Sequence, residues 1–260
     1  MKALELDWGT MHVEVSHGEG PALVFLNSLG TDLRMWDDVC ARIPSNWSTL
    51  RMDKRGHGLS ETGPEGHGIG DLASDVLHAM DFAAIERAVI IGCSVGGLIA
   101  QHIALMKPER VQGLVLSNTA PALGSPERWL SRINTISEAG MASVSNEIIQ
   151  LWFGPAFLET AEVTLWNALL KRTDQSGYIA CCRAIADADI TGKVSEISCP
   201  SLVLAGQHDR ATPPAVVQAL AHALPRAEYQ EFRTAGHLPA VEVPCLFAAA
   251  LEGFVERIPN

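Results

Sequence analysis

Ala88-Val89-Ile90-Ile91-Gly92-Cys93-Ser94-Val95-Gly96-Gly97-Leu98-Ile99-Ala100 passes from a β-branched apolar run, through Gly-x-Ser-x-Gly-Gly, into a second apolar segment. The first run reads as a buried strand and the second as a helix. Ser94 then stands at the apex of a sharp strand-to-helix turn, the pattern of a nucleophile elbow. Gly92 and Gly96 carry no Cβ, so the chain can close on both sides of a strained turn. The helix beyond Ser94 offers unpaired N–H groups and the positive end of its dipole, where a developing oxyanion is stabilised. Glycine and serine are common turn residues. The motif takes its weight from the strand before it and the helix after it.

A serine needs a base to become a nucleophile, and the base needs an orienting acid. The C-terminal third supplies both. Ser201 to Gly206 reads as a short buried strand, followed by Gln207-His208-Asp209-Arg210-Ala211-Thr212-Pro213-Pro214. Asp209 falls just past the strand's carboxyl end, where parallel sheets build their sites. A helix over Ala215–Ala223 and a strand over Ala227–Phe232 come next. Then Thr234-Ala235-Gly236-His237-Leu238-Pro239 carries a histidine on a loop. The expected roles are Ser94 as nucleophile, His237 as base and then acid, and Asp209 as the group that holds the imidazole. The bland alternatives are Asp209 as a helix N-cap and His237 as an ordinary loop histidine. Three matches in the chain order serine, acid, histidine favour the catalytic set. His208 precedes the acid and reads as a neighbour.

Away from these segments the chain keeps a strand–helix rhythm. Met11–Val15, Ala22–Asn27, Trp47–Met52 and Val111–Ser117 read as strands, and Asp71–Ile85 as a helix with Leu72, Val76, Leu77, Met80 and Ala84 at helical spacing. From Pro121 onward strands vanish and the pattern turns helical, until alternation resumes at Cys199. The expected architecture is an α/β fold with a mostly parallel sheet flanked by helices. Its core is drawn from 1–120 and 194–260, with 121–193 as a helical cap. Of its 260 residues 47% are hydrophobic, enough for a packed interior. Lysine and arginine number 19 against 30 aspartates and glutamates, a net charge of −11 that argues against nucleic acid or an anionic membrane as the main partner. The N-terminus shows no apolar signal core, and no stretch approaches a transmembrane span. Cys40, Cys93, Cys181, Cys182, Cys199 and Cys245 show no metal-ligand spacing. Reduced thiols in a cytoplasm are the simplest expectation. Cys93 reads as a small buried apolar residue facing away from Ser94. The sequence leaves the oligomeric state open.

A second oxyanion donor should come from the loop after the strand Ala22–Asn27, which reads Asn27-Ser28-Leu29-Gly30-Thr31-Asp32. The expected donors are the backbone N–H groups of Leu29 and Val95. Ser28 adds a hydroxyl there or simply fills the turn. Arg51-Met52-Asp53-Lys54-Arg55-Gly56-His57-Gly58-Leu59-Ser60 gathers Asp, Arg and His, yet its glycines mark a tight turn and Arg55 suits buried carbonyls. A structural role is the expectation for that segment.

Taken together, these segments resemble the 3-oxoadipate enol-lactonases of the α/β-hydrolase superfamily. The elbow and Gly236-His237 are superfamily-wide. More discriminating are Asn27–Asp32 with Met35-Trp36, Asp53-Lys54-Arg55-Gly56-His57-Gly58-Leu59-Ser60, Leu116-Ser117-Asn118-Thr119-Ala120-Pro121, Trp129-Leu130-Ser131-Arg132-Ile133, Trp152-Phe153-Gly154-Pro155-Ala156-Phe157, Cys181-Cys182-Arg183-Ala184-Ile185 and Asp209–Pro214. One departure is Gly-Cys-Ser-Val-Gly-Gly, where Leu or Val before the serine and Met after it would be the family's choice. The replacements remain small or apolar and do not threaten the chemistry.

The resemblance implies opening of 3-oxoadipate enol-lactone to 3-oxoadipate in the protocatechuate branch of the β-ketoadipate pathway. It implies an acyl-serine intermediate, no organic cofactor and no metal. That substrate carries an acetate, so a local cation is expected near the cap. Arg132 is the first choice, one helical turn from Trp129, with Arg34 and Arg128 as rivals. Trp152 lines the pocket or packs in the core. A general carboxylesterase or perhydrolase on the same scaffold, and a non-turnover lactone receptor, are the alternatives.

Overall fold

The computed structural model describes residues 1–258. Eight strands form one sheet: β1 Lys2–Leu6, β2 Gly9–Ser16, β3 Ala22–Leu26, β4 Ser48–Met52, β5 Ala88–Cys93, β6 Val111–Ser117, β7 Ser201–Gly206 and β8 Ala227–Phe232. Their order is β1-β2-β4-β3-β5-β6-β7-β8. β1 and β2 run antiparallel, as do β2 and β4, and every pairing from β4 to β8 is parallel. The α/β architecture expected from the alternation is thus present. β5 and β7 are buried at every residue, which is why they read as unbroken apolar runs. Each large aliphatic side chain buried there contributes about 1.5–3 kcal/mol of transfer free energy.

β1 has almost no strand signal in the sequence. Only Leu4 of its five residues is buried, so an edge strand with one inward side chain carries almost no apolar pattern. The helix expected over 71–85 spans Ile69–Phe82 instead. Asp71 lies inside its first turn, and its carboxylate accepts from the Gly68 amide at 2.8 Å. At the far end Ala84 takes a positive φ of 52°, which stops the helix before Ile85.

Between β6 and β7 the chain runs through five helices: Pro126–Ala139, Ala142–Trp152, Pro155–Leu158, Glu162–Arg172 and Gln175–Ala186. The first starts at Pro126 behind a Ser125 cap and ends at Gly140, whose φ is 76°. Trp152, Leu170 and Tyr178 from this segment close on Gly30 of the loop after β3. The helical segment therefore lies over the carboxyl ends of the strands. Among the described residues no helix is long and apolar enough to cross a membrane. All six cysteines are free thiols.

Candidate active site

Parallel register brings the strand ends to one edge. Leu26 of β3 pairs with Gly92 of β5, Cys93 of β5 with Ser117 of β6, and Ser117 with Leu204 of β7. The residues just past these ends meet in space: Ser28 and Leu29 after β3, Ser94 after β5, Asn118 after β6 and Asp209 after β7. Ser94 sits at φ 56° and ψ −121°, a conformation that side-chain-bearing residues rarely adopt, and heads the helix Val95–Met106. Neighbouring bonds over-determine it. Its amide donates to Ser117 O at 3.0 Å, and its carbonyl accepts from Gly97 and Leu98 amides at 2.9 and 3.1 Å. The Thr119 hydroxyl donates to the same carbonyl at 2.7 Å. A Cβ on Gly92 would collide with the Gly96 carbonyl, and one on Gly96 with the Leu26 carbonyl. Both glycines are required by that close approach.

The imidazole and carboxylate are buried and joined. His237 Nδ1 lies 2.8 Å from Asp209 Oδ2. Asp209 Oδ1 accepts from the Ala211 and Thr212 amides at 2.8 and 2.9 Å, so its loop curls around its own side chain. The helix Pro214–Ala223 starts behind Pro213; the N-cap alternative for Asp209 is not realised. The His237 amide donates to Trp152 O at 2.6 Å, which ties the histidine loop to the overlying helical segment. His208, next to Asp209, is exposed.

Ser94 and His237 share the wall of a cavity of about 230 Å³, together with Ser28, Leu29, Trp129, Arg132, Trp152 and Tyr178. The amides of Leu29 and Val95 have no protein acceptor among the described residues. The Ser28 hydroxyl is buried without a hydrogen-bond partner. Trp152 is 4% exposed, so it serves the core and the cavity wall at once. The charged side chains in the wall are Arg128 and Arg132, and among the described residues no carboxylate joins them. Arg132 is half-buried and lies over the Trp129 ring at 5.2 Å. Burial pushes the Tyr178 phenol well up, and Arg132 beside it opposes that shift. Arg128 is exposed at the rim. Arg34 lies outside the cavity and pairs with Asp32 at 2.5 Å. Cys93 is buried behind the histidine, its Sγ 3.4 Å from His237 O. Burial holds that thiol well above its ordinary range.

Three supporting residues escaped the sequence reading. Asn118, at φ 51°, donates Nδ2 to Asp209 Oδ2 at 2.8 Å and to Gly236 O at 3.1 Å. The Ser117 hydroxyl fixes its amide by donating to Oδ1 at 2.7 Å. Its place at the carboxyl end of β6 was the available signal. Glu242 accepts from the Gly154 amide at 2.7 Å and the Gly236 amide at 2.8 Å, bridging the helical segment and the histidine loop. Burial pushes its carboxyl up to about 7 against those hydrogen bonds. Lys54 is the third. Within its segment Arg55 is buried against a carboxylate and not the loop carbonyls expected for it, forking onto Asp75 at 2.7 and 2.9 Å. Among the described residues no three His, Cys, Asp or Glu side chains converge as a metal site requires.

A family model described as the alpha/beta hydrolase family matches residues 23–250. The chain belongs to that family. This hydrolase is 34% identical over 239 residues to 3-oxoadipate enol-lactonase 2 of Acinetobacter baylyi, covering 91% of this chain and 89% of that protein. It is 32% identical over 254 residues to 3-oxoadipate enol-lactonase 1 of the same organism, covering 96% and 94%. The crystal structure of the enol-lactonase from Burkholderia xenovorans superposes with a TM-score of 0.94 at 33% identity, over 98% of this chain and all of that one. The hydrolase resembles the enol-lactonases along almost its whole length.

Proposed function

We propose that this hydrolase opens 3-oxoadipate enol-lactone to 3-oxoadipate, within the β-ketoadipate pathway of the cytoplasm. One observation carries the substrate class: a protein of net charge −11 has, beside Ser94, a small cavity with two arginines and no carboxylate in its described wall. Such a wall suits an anion. A volume of about 230 Å³ lies below the ~300–1,000 Å³ of drug-sized pockets, and it suits a compact ring with one acetate arm. The names of the related enol-lactonases support the same substrate.

In this mechanism Ser94 Oγ attacks the lactone carbonyl while His237 Nε2 takes its proton. Asp209 orients the ring and stabilises the imidazolium. The tetrahedral oxyanion rests on the Leu29 and Val95 N–H groups, with the helix dipole behind Val95. The ring C–O bond then breaks, and the departing enol oxygen takes the proton back from His237 before the enol tautomerises to the ketone. Water, deprotonated by His237, adds to the acyl carbonyl; the C–Oγ bond breaks, His237 returns the proton to Ser94 Oγ, and the second carboxylate is released. Ser28, with its unpartnered hydroxyl, contributes a hydrogen bond to the bound lactone. Residues 121–193 act as a cap on the core of 1–120 and 194–260, presenting Arg132 and Trp152 to the substrate.

Arg132→Ala tests the assignment of the cation. It should raise KM for the enol-lactone by about tenfold to a hundredfold, the loss of a charge-assisted contact of ~1.5–3 kcal/mol. KM for the neutral p-nitrophenyl acetate should move less than about threefold. Equal effects on both esters in steady-state assays would remove Arg132 from the site.

A further inference from the structure

Beneath the loop that carries Leu29, the Lys54 ammonium is buried, with Nζ 2.6 Å from Ser28 O and 3.4 Å from Thr31 O. Ser28 O and the Leu29 N–H belong to one peptide unit. That unit is trans, so the two groups point in opposite directions in one plane. The Thr31 hydroxyl and amide also donate to Ser28 O, at 2.9 and 3.3 Å, and the ammonium is the charged and shortest of the three contacts. Holding the carbonyl on the core side turns the N–H toward the cavity that Ser28 and Leu29 line. Lys54 itself lies outside that wall and faces a small internal cavity shared with Asn27 and Asp75.

We propose that Lys54 is a positioning residue for the oxyanion donor: it clamps the Ser28–Leu29 peptide so that the Leu29 N–H faces the reacting carbonyl. The clamp rests on the acyl-transfer role proposed above for Leu29. A charge-assisted bond to the carbonyl also polarises the same peptide's N–H into a stronger donor.

The surroundings of Lys54 show that it is not there for an ion pair. Asp53 is taken by the Leu33 and Leu59 amides and by His12. Asp32 is taken by Arg34 and Asp75 by Arg55. Burial pushes the Cys181 thiol up to about 11 and the Cys93 thiol well up, so neither carries charge near neutrality. His57, whose pKa burial lowers, is neutral as well. Burial brings the ammonium itself down to about 8. A buried ammonium held by two carbonyls carries a desolvation cost, and removing it offsets the loss of those two hydrogen bonds.

Lys54→Met is therefore expected to leave the melting midpoint about unchanged. It should lower kcat on p-nitrophenyl acetate by about 10- to 100-fold, short of the ~10²–10³ for outright loss of a donor. KM should change less than about threefold. Inhibition by phenylboronic acid, whose tetrahedral serine adduct carries the oxyanion's charge, should weaken in proportion to kcat. Lys54→Gln keeps a neutral donor and should lower kcat by about 3- to 10-fold, between wild type and Lys54→Met, and it carries the test should Lys54→Met not accumulate as folded protein. A kcat within twofold of wild type in either variant would overturn the proposal. So would a fall in kcat with boronate affinity unchanged. Because p-nitrophenyl acetate and not the lactone is the reporter, failure of the lactone assignment leaves this test standing.

Discussion

Ser94→Ala is expected to lower kcat by about 10⁴- to 10⁶-fold on any ester that the hydrolase turns over, with KM near wild type. The substitution removes the one hydroxyl placed at the head of the helix Val95–Met106, while the N–H groups of Leu29 and Val95 stay where they are. The residue of catalysis over water, of order 10³-fold, then comes from those donors and from binding. The fold should survive. The bonds that impose φ 56° on residue 94 run through its backbone and Thr119, not through Oγ. Steady-state kinetics and thermal denaturation of the same preparation check both halves of this expectation. Turnover within tenfold of wild type would show that another group attacks the carbonyl.

Asp209→Asn should cost about 10⁴-fold in kcat, and it should destabilise the protein as well. In the wild type every donor around Asp209 points inward. Oδ2 accepts from His237 and Asn118, and Oδ1 from the Ala211 and Thr212 amides. An asparagine must direct its NH₂ at one of those two donor pairs. If it meets His237, the imidazole is driven to the tautomer that cannot accept a proton from Ser94. If it meets the two amides, the loop after β7 opens. Either arrangement leaves buried donors unpaired, at about 1–3 kcal/mol each. Denaturant unfolding beside kcat at neutral pH reads both effects. Wild-type stability with wild-type kcat would detach Asp209 from His237.

What the sequence reveals of the site follows from how local each signal is. Ser94 announces itself because strand, turn and helix are contiguous, and the sterics of Gly92 and Gly96 lie within the same few residues. Asp209 and His237 are legible from chain order and from their positions just after strands. Asn118, Lys54 and Glu242 are not, because each works through a partner distant in sequence: Asp209, the Ser28 carbonyl, and the Gly154 and Gly236 amides. Lys54 was also hidden in a segment whose turn glycines and Arg55–Asp75 pair explain it as structure. At the level of the fold, fully buried β5 and β7 are plain, whereas β1 is nearly silent because a solvent-facing edge strand needs only one apolar side chain. Asp71 shows the same limit at a helix end. As a first-turn carboxylate it looks like a helix start, and only the Gly68 amide reveals the true one.

The most direct test of the proposed function is steady-state hydrolysis of 3-oxoadipate enol-lactone, freshly generated from its muconolactone precursor, beside p-nitrophenyl acetate. Wild type should show a kcat/KM for the lactone at least about 100-fold above that for the neutral ester, the scale of one well-placed ionic contact together with ring fit. Ser94→Ala is the control for enzyme-independent opening. Hydrolysis of p-nitrophenyl acetate without turnover of the enol-lactone would contradict the lactonase assignment and leave a general esterase.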